Sequence, residues 1–166
     1  AEAALQESEE RFRSLFEGAP DAIFLADPES GEILDANPAA SQLLLQSREE
    51  IIGLHQSQLH PPRMAVLSKE EFLEHSQLAT DTQKTTLAEN LVLRSDGREI
   101  PVEILAHIIY IQGKPVLQGV FRDISERKQA DEKLRLSEER FRKIFEDGPI
   151  GMSIVDLNSR LVKVNA

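Results

Sequence analysis

The chain has 166 residues, 40% of them apolar, no cysteine, and a formal charge of −10 with an isoelectric point near 4.9. That acidity argues against nucleic acid or an anionic membrane surface as a direct partner, and the missing thiols remove disulfides, thiolate metal sites and cysteine nucleophiles together. No apolar run reaches the length of a membrane span and the start has no signal-peptide pattern. The expectation is a soluble, cytoplasmic piece without direct membrane contact and with material for one full core.

Residues 1–17 read as an amphipathic helix with Leu5, Phe12, Leu15 and Phe16 on its apolar side, ended at Gly18-Ala-Pro20. Two short strands follow, 21–27 and 32–36, joined by the turn Pro28-Glu-Ser-Gly31. Asn37 before Pro38 is a helix start, a cap followed by a proline at the first helical position. Ser47 with Glu50 forms a second capping pattern for a one-turn helix ending at Gly53. Residues 54–62 are irregular, and a longer helix is expected from Pro62 or from Ser68/Glu71 to about Gln77. Three strands then read as 85–94, 99–111 and 115–122, with turns at Ser95-Asp-Gly97 and Gln112-Gly-Lys114. A five-stranded antiparallel sheet with helices segregated to one face fits this order, an α+β fold.

The last strand runs into a charged helix. Asp123 with Glu126 reads as a capping box, and Ala130, Leu134, Ser137, Phe141 and Ile144 form a narrow coiled-coil seam. Opposite charges at helical spacing cover the other face, among them Arg127 with Asp131 and Glu138 with Arg142. Such a helix joins two domains or pairs with a copy of itself. Its second half has a precedent: 134–146 repeats 5–17 at an offset of 129 residues with nine of thirteen positions identical. Pro20 answers Pro149, Asp27 answers Asp156 and, after a one-residue gap, Asn37 answers Asn165. The expected organisation is a flanking helix at 1–17, a globular domain at 18–123, a linking helix at 124–147 and the opening of a second copy at 148–166.

Five stretches in order, Ser8-Glu-Glu-Arg-Phe-Arg, Asp35-Ala-Asn-Pro, Arg48-Glu-Glu-Ile-Ile-Gly53, Arg94-Ser-Asp-Gly-Arg98 and Arg122-Asp-Ile-Ser125, resemble the signature segments of the PAS domain family. The resemblance covers 8–125 and resumes at 137. It implies a PAS fold flanked by amphipathic helices, acting as a sensor module ahead of a histidine kinase or cyclic-dinucleotide enzyme. The domain would dimerise through those helices, with Leu5, Phe12, Ala130, Leu134 and Phe141 in the seam. By the same matching with strand alternation, Phe24, Ala26, Asn90, Val92, Val102, Ile104, Ala106, Gly119 and Phe121 line the interior from the sheet. Leu44, His55, Gln56 and Leu59 close it from the helical side. Asp123, Ile124 and Ser125 would couple the interior to the departing helix.

The family's cofactors are tested through the same alignment. The cysteine of its flavin photoreceptors falls on Gln56, beside His55, and their flavin-binding polar residues fall on Phe121, Val92 and Val102, which excludes the cysteine adduct and disfavours flavin. The proximal histidine of its haem sensors falls on Ser68, with His75 two turns along, which disfavours haem. No cofactor and no metal is expected: His55, His60, His75 and His107 have no metal-pair spacing. The chain contains no nucleophile elbow, P-loop or dinucleotide fingerprint, so no enzyme activity is expected of it. A small-molecule sensor is the first expectation. A ligand-free dimerising spacer, its core filled by its own side chains, is the alternative, ahead of a flavin or haem sensor.

Overall fold

The structure is a computed structural model that describes residues 2–64 and 86–165. The expected helix ending near Gln77, together with Ser68 and His75, lies outside the described residues. The chain divides into two compact units, 1–125 and 126–166.

The first unit opens with helix α1, Glu2–Glu17, followed by strands β1, Ala22–Ala26, and β2, Ile33–Ala36. Helices α2, Pro38–Leu44, and α3, Arg48–Ile51, come next, then single 3-10 turns at Gln56–Leu59 and Pro62–Met64. Strands β3, Thr86–Leu93, β4, Glu99–Ile111, and β5, Lys114–Asp123, complete it. Local chemistry sets these boundaries. Asn37 caps α2 through the Ala40 N–H, and Ser47 with Glu50 forms the reciprocal box at α3. Gln112 and Gly113 both have positive φ, the two-residue turn whose twist suits a β4–β5 hairpin.

The five strands lie in the order β2-β1-β5-β4-β3, every neighbouring pair antiparallel. The first and last strands are therefore neighbours, with Ala22 opposite Phe121. One face of the sheet packs Phe24, Ala26, Val92, Val102 and Phe121 against Ala40, Leu44, Ile51 and Leu59 from the helical segments. The other face has a smaller cluster, where Phe16 at the end of α1 covers Ile23, Leu25 and Val116. All five residues of β1 are buried, because both faces of that strand are covered.

The second unit consists of most of helix α4, Ser125–Glu146, and a hairpin of β6, Ser153–Val155, with β7, Leu161–Val164. Within α4, Arg135 pairs with Glu132 at 2.7 Å and Glu139 at 2.5 Å. Leu134 and Phe141 of the expected seam are exposed, as are Leu5 and Phe12 on α1 and Ala130 on α4. No described helix is long and apolar enough to cross a membrane.

Candidate functional site

The interior is built by strand alternation. Phe24 and Ala26 on β1, Asn90 and Val92 on β3, Val102 and Ala106 on β4, and Phe121 on β5 are all buried, with Ile104 half-buried beside them. Rings of Phe24 and Phe121 meet edge to face with centroids 4.9 Å apart. Gly119 pairs with Phe24 in the ladder, two residues before Phe121, and a Cβ there would come to 3.0 Å from the Phe121 ring. Leu44 and Leu59 close the space from the helical side.

Among the described residues, Gln56, His60 and Asn90 are buried polar side chains besides Asn37, each less than a tenth exposed. His60 Nδ1 lies 2.7 Å from the Leu91 carbonyl oxygen. A carbonyl can only accept, so Nδ1 carries a proton and a neutral ring turns its lone pair to Nε2. The ring also stacks on Phe121, 6.2 Å between centroids. Asn90 Oδ1 accepts from the Leu91 N–H at 2.7 Å.

His55, expected among the interior residues, points elsewhere. Its backbone bridges Glu32, and its Nδ1 lies 2.7 Å from Ser57 Oγ and caps the 3-10 turn that carries Gln56. Its ring lies over Gly31, where a Cβ would approach Nε2 to 2.7 Å, so the glycine with φ of 73° is required twice. The capping turn rotates the ring outward and brings His60, four residues after Gln56, into the interior. Strand alternation gave no help in this irregular segment.

The departing junction sits at the end of β5. Asp123 pairs with Val102 in the ladder, and the N–H of Ile124 donates to Pro101 O at 3.0 Å. Ile124 is buried. The Asp123 carboxylate accepts from the N–H of Ser125 at 2.8 Å. Since α4 begins at Ser125, the cap position belongs to Ile124, and Asp123 acts one residue earlier than the expected capping box with Glu126 requires. A ladder bond therefore holds Ile124 while the carboxylate closes a short turn onto the first helical amide.

Beside this junction, Arg122 reaches Asp21 at 2.9 Å, an interaction that holds the guanidinium more firmly protonated. Asp21, Arg122 and Asp123 line an open groove of about 300 Å³ together with Ala22, Leu43 and Phe121. In the sequence Asp21 is only the first residue of the expected strand 21–27 and Asn37 only a helix cap, whereas the buried Asn37 amide makes four bonds. Oδ1 accepts from Ile23 and Ala40 N–H groups, and Nδ2 donates to the carbonyls of Phe16 and Asp21. The recurrence of that asparagine at 165 was the available signal.

A mixed helix and antiparallel-sheet domain whose first and last strands are neighbours, with an aromatic and polar interior and a capped departing helix, defines a class of signalling module. The family model of the PAS domain matches residues 20–126, and the chain belongs to that family. It is 28% identical over 155 residues to a methyl sulfide methyltransferase-associated sensor of Methanosarcina acetivorans, covering 93% of this chain and 15% of that protein. It is 30% identical over 143 residues to sporulation kinase E of Bacillus subtilis, covering 82% of this chain and 17% of that protein. The chain thus spans about one sixth of the length of these curated relatives. A solved domain of a sensory box sensor histidine kinase/response regulator from Geobacter sulfurreducens superposes with a TM-score of 0.58 at 27% identity, covering 72% of this chain and 96% of that one. This is a PAS sensory domain of the kind found in signalling proteins.

Proposed function

We propose that the domain takes a small ligand in its interior and relays its presence through Asp123 and α4 to an output domain, a histidine kinase or a cyclic-dinucleotide enzyme. The observation that carries this reading is on β5: Phe121, which touches both Phe24 and His60, is two residues from Asp123 and on the same face of the strand. Whatever displaces the Phe121 ring loads the strand end on which the first amide of α4 depends. A ligand acts by preferring one geometry of that end. A complete switch needs about 5.5 kcal/mol of preference, and a tilt of the balance needs far less. Gln56, His60 and Asn90 are the polar contacts we assign to the ligand, with His60 in the place expected of His55. Dimerisation through the exposed faces of α1 and α4 belongs to the same reading, as does the assignment of 148–166 to the opening of a further PAS module.

A native mass of the purified chain compared with its denatured mass tests occupancy; excess mass per subunit is expected. In the full-length protein, Asp123→Ala removes the bond to the Ser125 N–H, which should cost about 1 kcal/mol, and should uncouple output from input. Output that still follows input in this variant would refute the relay. The second reading, a ligand-free dimerising spacer, is favoured by the direct contact of Phe24 with Phe121; a bare mass in a dimer would support it.

A further inference from the structure

We infer that the domain has a second input, from the leading helix α1, which reaches the Asp123 junction along the edge of the β1–β5 ladder without crossing the interior. The inference rests on Asp123 being the point of output. Each link is a short contact within the first unit. Asn37 Nδ2 holds the Phe16 carbonyl at the end of α1 at 3.1 Å and the Asp21 carbonyl at 3.0 Å. The Asp21 carboxylate takes Arg122 Nη2 at 2.9 Å and Nε at 3.2 Å. Arg122 is covalently next to Asp123, whose carboxylate holds the first amide of α4. A change in the seating of Phe16 is therefore passed to the end of β5 through two polar anchors.

The two anchors differ in character. Asn37 is buried with all four bonds made, so it is a rigid joint. The Asp21–Arg122 pair is partly solvated and can be broken or remade at small cost. It is also dispensable to the hairpin itself. The repeated hairpin keeps the asparagine as Asn165, but Ile150 stands where Asp21 does, and its carbonyl is still held by Asn165 Nδ2 at 2.9 Å. A carboxylate at 21 thus adds nothing that the hairpin geometry needs. It gives β5 an adjustable attachment to Asp21, whose carbonyl shares the Asn37 amide with that of Phe16, and so Asp21 and Arg122 are positioning residues for the junction.

Hydrogen exchange of the amides at 125–128 in the 166-residue chain tests this. Phe16→Ala loosens α1, and exchange at 125–128 should rise about twofold to fivefold, the range that an exposed ion pair can transmit. In the Arg122→Gln background the same substitution should leave 125–128 unchanged, and the exchanged pair Asp21→Arg/Arg122→Asp should restore the response. Salt at 1 M should weaken it in the unaltered protein. Amides of β4 serve as the folding control, and Phe16→Leu replaces Phe16→Ala if they lose protection. An equal rise with and without Arg122, or none in either background, overturns the inference. The interior relay is judged separately, since Asp123→Ala can still abolish a ligand response when the α1 effect is absent.

Discussion

Two hairpins in this chain share a sequence plan, and their bonds can be compared one by one. In β1–β2, Asn37 Oδ1 accepts from the N–H of Ile23 at 2.8 Å, and the Asn37 N–H donates to Ile23 O at 3.1 Å. In β6–β7, Asn165 does the same with Met152, at 2.7 and 3.0 Å. The ladder shifts register between Leu25 and Ala26 in one and between Ile154 and Val155 in the other, the same place in the repeat. The phenylalanine pairs before them stack alike, at 5.8 Å for Phe12–Phe16 and 5.7 Å for Phe141–Phe145. Burial is where they part. Every residue of β1 is buried, whereas Val155, Leu161 and Val164 are each more than half exposed. Backbone bonding in such a hairpin is thus decided locally, by an asparagine and a turn carboxylate. Its burial depends on what lies across the sheet, and among the described residues only β1 has a β5 beside it.

The sharpest way to test this contrast is to remove side chains at matching positions. Phe24→Ala should destabilise the first unit by about 3–5 kcal/mol in urea denaturation, because a cavity opens against Phe121. Ser153, its counterpart in the repeat, should accept alanine within about 0.5 kcal/mol. Next in size is Asn37→Ala, which strands the Ile23 N–H and takes the amide donor from the Phe16 and Asp21 carbonyls, and should cost about 2–3 kcal/mol. Asn165→Ala should leave the main transition in place and raise exchange only within β6 and β7. If the two asparagine variants lower stability equally, the idea that burial separates the hairpins fails.

The smallest effect concerns the turn carboxylate. Asp27 is held below its ordinary value of 3.8, chiefly by the N–H of Ser30 and then by that of Glu29. With the folded value lowered, its contribution to the turn is complete above the ordinary value and is lost as the pH falls below it through the folded value. An NMR titration of the Asp27 carboxyl carbon should therefore find its midpoint below 3.8. A midpoint at or above that value would show that the two amide bonds are absent in solution.

The sheet, its turns and most of the interior were legible because strand alternation and turn chemistry are local. Phe24, Val92, Val102 and Phe121 lie inside as their period of two requires. The Asn37 cap, the Ser47–Glu50 box and the turn at Gln112-Gly-Lys114 each rest on two or three residues. Legibility ended where a side chain answers to a distant part of the chain. The His55 ring packs on Gly31 of an earlier turn, and Asp21 meets Arg122 across 101 residues of sequence. Asp123 was identified as the junction, but its bond to Ser125 follows from the ladder holding Ile124 to Pro101, which no local pattern states.

The adjacency of β1 and β5 has one more consequence. Because Ala22 faces Phe121, the chain leaves the sheet one strand spacing, about 5 Å, from where it entered. The 13-residue stretch that precedes the first hairpin is nearly the same as the one that precedes the second. If 148–166 opens a further module, as proposed above, recombination within the repeated stretch would add or remove one whole module at a helical joint, and the number of modules could change without any of them being rebuilt.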